Sequence, residues 1–214
     1  MAGSLVTLLL LRKLRVHSLD KTGLKHAAED LAARARDFSP NVIIGIRSGG
    51  YHVAKIMAET TPQAALLGIT CRRPSTQKKQ RYSIFKRLLC KLPHFITDRL
   101  RLLEHIIITS LCVPKRTALI PDAGELAAIE HTLQRVGGAA RILIVDDAVD
   151  SGSTIAAVHK AIKNIANPSA VIKIAAITVT TTTPFIEPDF SLYRYVLCRF
   201  LWSLDSKSGS CADF

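Results

Sequence analysis

The stretch that most constrains the fold is Arg141-Ile-Leu-Ile-Val145, followed at once by Asp146-Asp147 and then by Ala148-Val-Asp-Ser-Gly-Ser-Thr154. A short, largely β-branched apolar run reads as a strand buried on both faces. Ser153 to Ile165 then reads as a helix, stopped near Asn167-Pro168. Strand, acidic pair, glycine turn and helix are half of a βαβ unit. In an open α/β sheet the C-terminal edge of the strands is where ligands bind, and the two carboxylates fall on that edge.

A second unit of the same kind lies earlier. Asn41-Val-Ile-Ile-Gly-Ile46 is a strand, Arg47-Ser-Gly-Gly50 a tight turn, Tyr51 to Thr60 a helix and Ala64 to Thr70 another strand. Such units imply a parallel sheet with right-handed crossovers. Ahead of it, Leu24, Ala27, Ala28, Leu31 and Ala32 share one face of a helix expected from about Asp20 to Asp37, capped by Ser18 and stopped by Ser39-Pro40. Further along, Glu125 to Val136 reads as a helix ended by Gly137-Gly138, and Val171 to Thr180 as a strand. The expected class is α/β, an open, mostly parallel sheet flanked by helices.

The turn Asp150-Ser-Gly-Ser-Thr154 carries the chemistry. Backbone N–H groups at a helix N-terminus, with Ser and Thr hydroxyls beside them, form a cradle for a phosphate. Gly152 lets the backbone approach a ligand closely. The neighbouring carboxylates can accept hydrogen bonds from vicinal hydroxyls, so the whole suits a sugar phosphate. The plainer alternative is an ordinary cap, with Asp150 or Ser151 satisfying the helix and no ligand involved.

The string Ile144-Val-Asp-Asp-Ala-Val-Asp-Ser-Gly-Ser-Thr154 closely resembles the motif with which type I phosphoribosyltransferases bind 5-phosphoribosyl-1-pyrophosphate (PRPP), and Ile44-Gly-Ile-Arg-Ser-Gly-Gly-Tyr51 is similar to that family's pyrophosphate turn. The resemblance covers roughly residues 41–72 and 139–205. It implies that Asp146 and Asp147 bind the ribose hydroxyls, in part through Mg²⁺. It implies that Ser151, Gly152, Ser153 and Thr154 hold the 5-phosphate, and that Arg47, Ser48 and Gly49 contact pyrophosphate. Asp150 matches the 6-oxopurine branch, where it faces the purine and serves as general acid/base. The chain departs from that branch after its last core strand, where Thr180 and Thr181 stand in place of a base-reading Lys. Phe200-Leu-Trp-Ser-Leu-Asp205 resembles the hood segment and makes Trp202, the single tryptophan, a candidate for base stacking; core or interface packing is its plainer role. The implied domain plan is one phosphoribosyltransferase-like domain over 1–214, a basic loop and helical insertion over 72–112, and a hood over 181–214.

The formal net charge is +12. Such a balance favours anionic partners, whether phosphorylated small molecules, nucleic acid or an acidic membrane surface. No acidic residue stands between Glu59 and Asp98, while Arg72, Arg73, Lys78, Lys79, Arg81, Lys86, Arg87 and Lys91 do. Ser75 to Gln80 reads as a loop, and Ile84 to Leu111 as amphipathic helices around Pro93. This stretch suits a flap over the site, and nucleic acid or a protein is a candidate partner for 72–91. The five cysteines show no CxxC spacing and no zinc pattern; reduced thiols in a cytoplasmic protein are the simplest account. The apolar run from Leu5 to Leu11 precedes its positive charges and is too short to span a bilayer. Two functions are therefore expected. One is an Mg²⁺-dependent transferase using PRPP and a nucleobase-like acceptor, with a homodimer as the family-level assembly. The other is a catalytically weak nucleotide-binding regulator, or an effector subunit of a retron-type nucleic-acid complex.

Overall fold

A computed structural model describes residues 15–47, 49–72 and 119–203. Five parallel strands make the main sheet: β2 (Val42–Ile46), β3 (Ala65–Ile69), β6 (Arg141–Val149), β7 (Val171–Val179) and β8 (Phe190–Arg194), in the order β3-β2-β6-β7-β8. Among the described residues four helices flank it: α1 (Lys21–Arg34), α2 (Gly49–Glu59), α3 (Ala123–Val136) and α4 (Ser153–Ile165). This is the expected α/β class. From β2 the chain steps outward to β3, and from β6 it steps the other way to β7 and β8. The switch between β2 and β6 opens a crevice beyond their C-terminal ends.

The sheet is buried on both faces. Ile43, Leu143, Val145, Ala175 and Ile177 pack against α1 and α2. Val42, Ile44, Ile142, Ile144 and Ile174 pack against α3 and α4. Successive strand residues point to opposite faces, so continuous apolar runs serve both layers at once.

Several boundaries differ from expectation. The α1 cap is Asp20, whose Oδ1 accepts the Gly23 amide at 2.7 Å. Ser18 instead ends a short strand, β1 (Arg15–Ser18), and its hydroxyl accepts from Arg199 Nη1 at 2.9 Å. After α1 a 3-10 turn over Arg36–Phe38 is closed by Ser39 in the left-handed region, φ 47°. Strand β6 runs to Val149 because its pairing with β7 continues through Ala148↔Thr178 and Val149↔Val179. Helix α2 begins at Gly49 rather than Tyr51, and α3 begins at Ala123, capped by Asp122.

Within 181–203 the chain divides. β8 is part of the main sheet, whereas β9 (Val196–Arg199) leaves it and pairs in parallel with β1. Tyr195 makes that turn with φ 59°. Two short strands, β4 (Cys71–Arg72) and β5 (Ile120–Pro121), pair antiparallel, so the chain departs after β3 and returns beside its own exit. The basic loop and helices expected between them, like the apolar run at the N-terminus, lie outside the described residues. Among the described residues no helix is long and apolar enough to cross a membrane.

Helix α2 sits closer to the sheet than side chains allow. A Cβ on Gly45 would lie 2.5 Å from Tyr51 Cα, and one on Gly50 would lie 2.5 Å from the Val145 carbonyl oxygen and 2.6 Å from Asp146 Cα. Both neighbours are backbone and cannot swing aside. Gly45→Ala and Gly50→Ala should each lower stability by about 2 kcal/mol or more through overpacking. Urea unfolding would show this as a reduced midpoint, and an unchanged midpoint would contradict the packing described.

Candidate functional site

Sheet topology brings the two separate motifs together. The turn after β2 and the turn after β6 flank the same crevice. At its floor stand Asp146, 9% exposed, and Asp147, half-buried. Asp146 Oδ1 accepts the Asp147 amide at 2.9 Å. The glycines that open α2 lie directly against the pair. A Cβ on Gly49 would be 2.1 Å from Asp147 Oδ2, and one on Gly50 would be 3.0 Å from Asp146 Oδ1. The carboxylates thus meet the partly positive N-terminal end of a helix.

Burial nevertheless dominates. Loss of solvent, reinforced by the Asp147 charge, pushes the Asp146 carboxyl well above the ordinary carboxylate range. Burial raises Asp147 too, opposed by hydrogen bonds from Asp146 and from Trp202. Two acids crowded out of water resist ionising together.

The turn after β6 forms a cavity of about 110 Å³, lined by Asp146 and by Asp150 to Thr154. Gly152 is the residue preceding α4, with φ 74°, and no side chain caps the helix. Its φ favours glycine, and a Cβ there would lie 3.2 Å from the Phe185 amide nitrogen. Of the two capping candidates, Asp150 makes no cap, and Ser151 Oγ accepts the amide of Ser153, the first helical residue, at 3.3 Å and lies 3.0 Å from the Ser153 hydroxyl. The following amides at the helix start have no intrahelical acceptor and face a phosphate-sized space with the Ser151, Ser153 and Thr154 side chains around it.

Asp150 is held from β7's end. Thr180, 4% exposed, has its hydroxyl 2.7 Å from Asp150 Oδ1 and 3.4 Å from the Val149 carbonyl, so its single proton goes to the carboxylate. The position that departs from the purine pattern thus contacts the acid that fits it.

Arg47 and Trp202 are engaged within the protein. Arg47 Nε lies 3.2 Å from Glu125 Oε1, and its guanidinium sits 4.7 Å over the Tyr51 ring. Glu125 also accepts from the Thr70 amide and hydroxyl. Ser48 lies outside the described residues. Trp202 Nε1 donates to Asp147 Oδ2 at 2.7 Å, and its ring stacks with Phe200 and His52. Sequence reasoning missed Glu125, His52 and the Trp202 bond. No local pattern signals them, since each partner comes from a distant segment.

The raised carboxyls set the sign of a pH effect. The folded chain binds protons more tightly than the unfolded chain, so stability falls as pH rises from the ordinary carboxylate range through the raised one. Above that window the cost is fully present. Asp146→Asn keeps an acceptor for the Asp147 amide and removes the cost. It should melt higher than wild type at neutral pH, with the gap closing on acidification. Thermal unfolding against pH checks this, and a variant that melts lower at neutral pH would refute it.

No family model matches the sequence, and no curated protein matches it. Solved structures do. A purine phosphoribosyltransferase from Pyrococcus horikoshii Ot3 is similar over 89% of this chain and 95% of its own, with TM-score 0.55 and 18% identity. A xanthine-guanine-hypoxanthine phosphoribosyltransferase from Helicobacter pylori is similar over 88% and 93%, with TM-score 0.53 and 14% identity. A hypothetical protein from Neisseria gonorrhoeae with bound ppGpp is similar over 89% and 90%, with TM-score 0.55 and 11% identity. The chain has the α/β architecture of the type I phosphoribosyltransferase fold, with an acidic strand end and an uncapped helix start at its topological switch point.

Proposed function

We propose that the chain is a phosphoribosyltransferase that binds PRPP with Mg²⁺, transfers the ribose-5-phosphate group to a purine-like base and releases pyrophosphate. The observation that carries this is the cavity where a buried carboxylate, a left-handed glycine and an uncapped helix N-terminus converge. In this reading the amides and hydroxyls of Ser151 to Thr154 hold the 5-phosphate. Asp146 and Asp147 accept from the ribose hydroxyls. Arg47, Ser48 and Gly49 meet the pyrophosphate, with Glu125 fixing the guanidinium through Nε and leaving its other donors to the ligand.

The donor set fits Mg²⁺ in one way. Among the described residues no group of three or more His, Cys, Asp or Glu could hold a metal. Asp146 and Asp147 would supply only part of the coordination, the rest coming from ligand oxygens and water, as is usual for this ion. When bound, Mg²⁺ neutralises charge on the leaving pyrophosphate. The base nitrogen attacks the anomeric carbon, and the carbon–oxygen bond to pyrophosphate breaks with its electron pair leaving on that oxygen. Asp150, fixed by Thr180, accepts the proton the base gives up. The protein's share is mainly positioning and charge placement.

A second reading is a nucleotide-binding regulator or nucleic-acid effector subunit. It is favoured by the similarity of the fold to a protein seen with bound ppGpp and by the net charge of +12. Salt-sensitive RNA or DNA association, through the basic 72–91 stretch, would mark it. A homodimer remains the proposed assembly for the transferase.

Pyrophosphate release measured with hypoxanthine, guanine, xanthine, adenine and orotate separates the two. The transferase reading expects release with a 6-oxopurine, and a fall of about a hundredfold in kcat for Asp150→Asn with PRPP affinity kept. No release with any base would contradict it.

A further inference from the structure

We propose that Trp202 is a positioning residue whose indole N–H holds Asp147 in the orientation a ribosyl ligand meets, tying the segment after β9 to the acid pair. This rests on the ribosyl-phosphate reading of the site. It replaces the base-stacking role that the sequence suggested for Trp202.

Three observations carry it. The first is the use of the ring. Trp202 already stacks with Phe200, at 5.1 Å between centroids and 4° between planes, and with His52 at 5.2 Å and 25°. The second is the use of the N–H. Trp202 has one polar atom, and it is 2.7 Å from Asp147 Oδ2. The third is the space reserved for the contact. A Cβ on Gly49 would lie 2.1 Å from Asp147 Oδ2 and 2.7 Å from Trp202 Nε1. Any other residue at the head of α2 would push donor and acceptor apart.

The two acids also differ in what surrounds them. Asp146 lines the cavity beside the 150–154 turn, and Asp147 does not. Asp147 stands at the α2 side, against Gly49 and Trp202, with its amide linked to Asp146. A carboxylate turns easily about its last torsion. A directed donor removes that freedom.

Trp202→Phe isolates the N–H, because a phenyl ring still stacks and only the donor is lost. With Mg²⁺ present, ribose 5-phosphate should bind this variant about tenfold more weakly, as for a lost hydrogen bond to a charged group. In an Asp147→Ala background the same change should bring no further loss. A base-stacking role gives a different pattern: ribose 5-phosphate carries no base, so Trp202→Phe and Trp202→Ala both bind it like wild type. Wild-type affinity in Trp202→Phe, or an equal loss in both backgrounds, would overturn the proposal. Unfolding midpoints of the ligand-free single and double variants provide a second reading, and non-additivity is expected. Additive midpoints would show that the contact does not exist. Non-additive midpoints with no ribose 5-phosphate binding by wild type would instead sink the ribosyl-phosphate reading and leave Trp202 a purely structural partner.

Discussion

The site depends on how closely the start of α2 approaches the ends of β2 and β6. Gly45 and Gly50 allow contact between helix and sheet backbone, and Gly49 lets the helix start abut the Asp147 carboxylate. Once that approach is made, much else follows. Asp146 is shut away from water, Asp147 is half-buried, and both face a helix N-terminus. The turn after β2 is brought beside the turn after β6. Arg47 is set over Tyr51, in the first turn of the same helix.

The acid pair is an electrostatic compromise. Burial opposes ionisation of both carboxyls, while the α2 terminus and the Trp202 N–H favour it. A protein needing only stability would place apolar residues here, as it does at Leu143 and Ile144 on the same strand. Functional sites are where local rules of this kind are broken. The loop from Asp150 to Thr154 shows the same departure, since helix α4 starts without a side-chain cap although serines and an aspartate stand next to it.

Much of this was legible in the sequence. The buried strands announced themselves as apolar runs because a doubly covered parallel strand has no polar face, and Asp146 to Thr154 read directly as a strand end and a cradle. What stayed hidden has physical reasons. The run Arg141 to Val145 suggested a strand that stopped at the first acid. Parallel pairing with β7 carries it on to Val149, because ladder hydrogen bonds do not depend on side-chain polarity. Ser18 looked like a cap, yet β1 takes it as a strand residue and Asp20 serves instead. Trp202 and Asp147, and Glu125 with Arg47, meet only because distant elements converge, which no local spacing encodes. The basic 72–112 stretch was prominent by composition, but charge alone fixes no geometry.

The crevice between β2 and β6 is proposed as a ribosyl-phosphate pocket built on the acid pair. Calorimetric titration with PRPP and Mg²⁺ tests it most directly, comparing wild type with the Asp146→Asn/Asp147→Asn double variant. Saturable one-site binding to wild type and none to the double variant over the same range is expected. Equal binding by both proteins, or by neither, would contradict it.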